Sequence, residues 1–219
     1  MERPFRVVCF GDSNTWGYDP DGGLRFDENS RWTALLQKEL GDKYIIFEEG
    51  QNGRTIANPD PWEGGTKCGM DYVLPMLETK QPVDLLVLML GSNDLKIKFN
   101  LPAADIAGSL QLMISRIQGY CKNFIDCANM KILIVAPPAI SEPVSESCFA
   151  EFFDDNDVVQ RSKDLAKWYE LVAQRFDCYF LNATDKICAG KADHLHLDRE
   201  GHRKLADMVR DKVREILEK

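Results

Sequence analysis

Short apolar runs alternate with longer stretches in which apolar residues recur at helical spacing, from one end of the chain to the other. Residues 6–10 carry Val7, Val8, Cys9 and Phe10 and stop at Gly11-Asp12-Ser13, the pattern of a buried strand that turns sharply. Residues 44–48, 84–90, 131–136 and 177–181 repeat it, and the 84–90 run is the most apolar, as a strand covered on both faces must be. Between them lie the helical patterns. Trp32, Leu35, Leu36 and Leu40 form one stripe, with Asn29 or Ser30 as the expected cap and Gly41 as the stop. A short helix is expected near 71–79. Residues 102–124 place Ile106, Leu110, Met113, Ile114, Ile117 and Cys121 on one face, and 158–176 do the same with Leu165, Tyr169, Val172 and Phe176. A last helix after an Asp198 cap turns Leu205, Met208, Val209, Val213, Ile216 and Leu217 inward.

Strand and helix alternating five times without an obvious linker predict one α/β domain over residues 1–219. The expected architecture is a three-layer α/β/α sandwich on a five-stranded parallel sheet, flavodoxin-like because right-handed crossovers leave few topologies. Loops 13–27, 58–69 and 141–155, the last with Phe149, Phe152 and Phe153, are expected near the functional edge.

Composition narrows the partners. Of 219 residues, 44% are hydrophobic and 28% charged, with a net charge of −8. No lysine-arginine block offers a phosphate footprint, so neither nucleic acid nor an anionic membrane is an expected partner. No stretch approaches a membrane span, and 5–10 is too short for the apolar part of a signal peptide. The seven cysteines include no C-x-x-C pair; they read as reduced, mostly buried residues of a cytoplasmic protein.

The chemistry sits at strand ends. Gly11-Asp12-Ser13, Asn52-Gly53 and Gly91-Ser92-Asn93-Asp94 follow three predicted parallel strands, so they share one sheet edge, where ligands of such sheets bind. Asp193-x-x-His196 precedes the last helix. That spacing lets the carboxylate meet one imidazole nitrogen while the other faces Ser13.

These four blocks, in this order, resemble the SGNH hydrolases, or GDSL esterases and lipases. Segments 9–13, 30–33, 48–50 and 88–91 are most similar to the branch of microbial arylesterases and acyltransferases. The resemblance implies a serine esterase that hydrolyses, and can transacylate, short acyl or aryl esters through an acyl-enzyme, with no cofactor and no metal. It implies Ser13 as nucleophile, His196 as base and Asp193 as its partner, with Ser13, Gly53 and Asn93 as oxyanion donors. It also implies relatives that form homo-oligomers. Asn14 stands where the family usually has an apolar residue; with Trp16, Phe149 and Phe153 it is expected to line the substrate pocket, and Trp62 and Phe152 are further candidates.

Other readings of the same residues remain. His194 rivals His196, while His202, in the first turn of the last helix, reads as structural. Asp193, His194, His196, Asp198 and His202 together could hold zinc. Asp12 and Asp94 read as loop-holding carboxylates. Deacetylation of carbohydrates is a close variant of the esterase reading. A flavin or nucleotide module, with Ser13-Asn14-Thr15 cradling a phosphate, is the non-catalytic alternative.

Overall fold

The computed structural model describes residues 3–125, 127, 129–153 and 157–218. Five parallel strands, β1 (Phe5–Gly11), β2 (Tyr44–Gly50), β3 (Leu85–Met89), β4 (Lys131–Ala136) and β5 (Tyr179–Asn182), form one sheet in the order β2-β1-β3-β4-β5. Among the described residues seven α-helices connect or flank them: α1 (Ser13–Trp16), α2 (Trp32–Leu40), α3 (Gly69–Lys80), α4 (Ala103–Asn123), α5 (Ala150–Phe153), α6 (Val158–Arg175) and α7 (Arg199–Leu217). The expected three-layer architecture is present, and the strand limits differ from the periodicity by at most two residues.

Alternation along each strand divides the interior in two. Val8, Phe10, Leu86, Leu88, Ile132 and Ile134 face α3, α4 and α6. Val7, Cys9, Leu85, Val87, Leu133 and Val135 face α2 and α7. Successive strand residues point to opposite faces, so each central strand is apolar throughout. Burial of this kind contributes about 25 cal/mol per Å² of apolar surface.

Two local expectations are corrected. Asn29 and Ser30 do not cap α2: the Asn29 N–H and the Ser30 hydroxyl both donate to Asp27 Oδ1, at 2.8 and 3.0 Å, and α2 begins after Arg31 without a side-chain cap. Within 13–27, the first four residues are helical rather than irregular, and Tyr18 pairs with Arg25 across a short antiparallel bridge. In 141–155, α5 provides the helix; Asp154 and Asp155 lie outside the described residues. Cys9, Cys68, Cys121 and Cys127 are buried, Cys178 is half-buried, Cys148 and Cys188 are exposed, and none is disulfide-bonded.

Because the strands are parallel, the chain leaves β1, β2 and β3 at one edge. The three motif-bearing turns therefore lie side by side, although 80 residues of sequence separate the first from the last.

Candidate active site

Ser13 is the first residue of α1, immediately after β1. Gly11 permits this abrupt start: a Cβ there would lie 2.0 Å from Thr15 Oγ1. Asp12 caps the turn, its Oδ1 accepting the Asn14 N–H at 3.0 Å. Across the edge, Asp193 Oδ1 accepts the N–H groups of Leu195 and His196 at 3.0 and 2.8 Å. This leaves Oδ2 to accept from His196 Nδ1 at 2.6 Å, while His196 Nε2 lies 2.8 Å from Ser13 Oγ. The aspartate fixes the tautomer: with Nδ1 protonated, Nε2 is an acceptor for the serine O–H. All three side chains are buried. Burial alone would raise the Asp193 pKa, but the His196 contact and the two backbone donors outweigh it and hold the carboxyl below its ordinary range.

Opposite this chain stand the other two turns. Gly53 has φ +77°, and a Cβ there would lie 2.8 Å from Glu63 Oε2, so only glycine fits. Asn93 Nδ2 donates one hydrogen to the Arg54 carbonyl at 3.2 Å and keeps the second for the cavity it lines. The N–H groups of Ser13 and Gly53 have no backbone acceptor among the described residues. Arg54 braces the turns from behind: its Nη1 donates to the carbonyls of Gly11 (2.8 Å) and Glu49, and its guanidinium lies 4.3 Å from the Phe10 ring centroid. Asp94 accepts from Ile56 N and Asn58 Nδ2 and Asp12 from Asn14 N, the loop-holding geometry expected of both. Burial pushes Asp12 up to about 6 and Asp94 up to about 7, so neither opposes an anion nearby with a full charge at lower pH.

A cavity of about 330 Å³ opens between the two sides, reached by Ser13, His196, Gly53 and Asn93. Phe149, Phe152, Phe153 and Trp62 also line it. Asn14 and Trp16 do not. Asn14 Oδ1 accepts the Leu197 N–H at 2.9 Å, and its amide lies 3.5 Å from the Leu195 carbonyl. It thus ties α1 to the loop that carries Asp193 and His196, a task no apolar side chain performs. The Trp16 indole lies 5.5 Å from the Arg25 guanidinium.

The rival readings fare differently. His194 bonds Ser141 Oγ at 2.9 Å, and His202 Nδ1 accepts the Trp32 N–H at 3.3 Å, pushed down to about 4 by burial. Among the described residues no group of three His, Cys, Asp or Glu is placed to hold a metal. Asn14 is engaged by backbone and Thr15 is fully buried, so neither side chain is open to a phosphate.

The lining residues missed by sequence reasoning include Tyr18, Glu63, Lys96, Lys98 and Leu195. Tyr18 packs its ring 4.3 Å from that of His196. Glu63, Lys96 and Lys98 form a charged wall beside Gly53, joined by Asp60. The only signal in the sequence was charge within loops that follow the second and third strand ends.

A buried Ser–His–Asp chain at the carboxyl edge of a parallel sheet, facing free hydrogen-bond donors, has the layout of a serine hydrolase. The chain belongs to the GDSL-like lipase/acylhydrolase family, whose model matches residues 9–204, and is a carboxylic ester hydrolase. Solved structures agree. Est24, a carbohydrate acetylesterase from Sinorhizobium meliloti, is 31% identical with a TM-score of 0.89, covering 97% of this chain and 100% of its own. The aryl esterase of M. smegmatis is 30% identical, with the same TM-score and coverage. The lipase/acylhydrolase from Enterococcus faecalis, 17% identical over 96% of each chain with a TM-score of 0.65, shares the fold. A search of curated proteins gives no match. Among the described residues no helix is long and apolar enough to cross a membrane.

Proposed function

We propose that the protein is a serine esterase for short acyl or aryl esters, working through an acyl-enzyme on Ser13. The hydrogen-bonded path Asp193 Oδ2–His196 Nδ1 and His196 Nε2–Ser13 Oγ, at 2.6 and 2.8 Å, is the observation that carries this reading. In the first half-reaction Ser13 Oγ attacks the carbonyl carbon as His196 Nε2 takes its proton. Asp193 stabilises the imidazolium without being protonated itself. The carbonyl oxygen becomes an anion held by the Ser13 and Gly53 N–H groups and the second Asn93 amide hydrogen. His196 then gives its proton to the departing alcohol. Water, or a competing alcohol, enters the same position and reverses the steps to free Ser13. Transfer to an added alcohol is therefore part of the proposal.

Phe149, Phe152 and Phe153 give the cavity an apolar side, and its size suits a short acyl group. Deacetylation of a carbohydrate is a second reading, favoured by the charged wall opposite. One hydrolase domain over 1–219, a small-molecule ester as partner and a cytoplasmic setting complete the proposal. The match over 9–204 and the unlinked cysteines support them.

Stopped-flow hydrolysis of p-nitrophenyl acetate tests the acyl-enzyme. The expected result is a burst of p-nitrophenol stoichiometric with enzyme, and partition to the methyl ester when methanol is added. Turnover with no burst, no methyl ester and no dependence on Ser13 would contradict it.

A further inference from the structure

The wall beside Gly53 is built more elaborately than an acyl pocket needs. Lys96, 2% exposed, places Nζ 3.0 Å from Asp60 Oδ2 and against Glu63 Oε1. Asp60 Oδ1 meets Lys98, whose ammonium lies 4.5 Å from the Trp62 ring centroid. Two carboxylates against two ammonium groups leave the wall without net charge. It therefore has no electrostatic preference for an anionic or a cationic substrate, yet it is rich in donors and acceptors.

Lys96 holds one oxygen of Glu63. The other, Oε2, has no donor among the described residues and lies 2.8 Å from where a Gly53 Cβ would be. An acceptor is thus fixed next to a proposed oxyanion donor. Beside it Trp62 is 74% exposed at the cavity mouth, although an indole gains most by burial. A flat apolar face next to a fixed acceptor suits a ligand with C–H bonds on one face and hydroxyls at its edge.

We propose that Glu63 determines which ester the site takes, accepting a hydrogen bond from a free hydroxyl beside the ester while Trp62 stacks on the ring that carries it. The substrate class is an ester of a hydroxylated ring alcohol. This rests on the reading of Ser13 as nucleophile. Lys96 is the positioning residue, because it orients the Glu63 carboxylate. A site that hydrogen-bonds a substrate hydroxyl discriminates against the analogue lacking it, since the polar group is otherwise left unpaired.

The test compares kcat/KM for a monoacetylated methyl glucoside and for cyclohexyl acetate, in wild type, Glu63→Ala, Trp62→Ala and Ser13→Ala, with thermal melts to verify folding. Wild type is expected to favour the glucoside about tenfold. Glu63→Ala should abolish that preference, mainly by raising KM for the glucoside, and Trp62→Ala should reduce it about threefold. A ratio unchanged in Glu63→Ala overturns the assignment, and so does one unchanged in Trp62→Ala should Glu63→Ala not fold. Turnover that persists in Ser13→Ala overturns both this inference and the esterase reading; Ser13-dependent turnover with no glucoside preference overturns this inference alone.

Discussion

The two sides of the cavity are held by different forces. On one side, Ser13, His196 and Asp193 form a single path of hydrogen bonds anchored by backbone N–H groups and by Asn14. On the other, Gly53 and Asn93 stand on turns braced by Arg54 and by the Asp60–Lys96–Glu63 ion pairs. Backbone anchors set position within a few tenths of an ångström and tolerate little change in residue type. Ion pairs between side chains hold charge in place and allow the contacted ligand to vary. The first side suits fixed chemistry and the second suits selection among substrates.

Substitutions on each side sharpen this contrast. Ser13→Ala has the largest expected effect, a loss in kcat on the order of 10⁶ as for other serine nucleophiles, read by p-nitrophenyl acetate hydrolysis. Asn93→Ala should lower kcat by on the order of 10²–10³, the effect of one oxyanion donor, with little change in KM. Lys96→Met should instead act on stability, by about 3 kcal/mol in denaturant unfolding. That is the low end for breaking a buried pair, because Lys98 still holds Asp60. Asn14→Leu, which restores the family's usual apolar character, should cost about 1–3 kcal/mol by leaving the Leu197 N–H without its acceptor. Equal effects of Lys96→Met and Ser13→Ala on kcat would erase the distinction between the two sides.

A further expected effect is on pH. Asp94 in the folded chain is pushed up to about 7, chiefly by burial, whereas an unfolded aspartate titrates near 3.9. Between those values the native state holds a proton that the unfolded state has lost. Asp94 therefore stabilises fully below about 4, and this contribution disappears as pH rises through about 7. His202, pushed down to about 4 by burial, acts with the opposite sign below its ordinary value of 6.5. Melting temperatures from pH 4 to 8 for wild type minus Asp94→Asn isolate the aspartate; the difference should fall as pH rises.

The chemical side was legible in the sequence because its residues are short motifs at places that periodicity identifies. An apolar run ending at Gly11 can only be followed by a turn, and a parallel sheet brings such turns together. Asp193-x-x-His196 is likewise local, with its spacing in one loop. The selecting wall was not legible, because Asp60, Glu63, Lys96 and Lys98 read as ordinary solvated loop charges until folding buries Asp60 and Lys96. Asn14 was misread for a related reason. Its neighbour Ser13 faces the cavity, but on α1 the next side chain points elsewhere, toward the backbone at Leu197. Trp16 follows on the same short helix, turned toward Arg25.

Covalent labelling tests the central claim most directly. Incubation with a p-nitrophenyl alkylphosphonate, followed by peptide mass spectrometry, should place one phosphonyl group on Ser13. Labelling should be absent in Ser13→Ala and strongly slowed in His196→Ala. An adduct on another residue, or full esterase activity remaining after stoichiometric labelling of Ser13, would contradict the account.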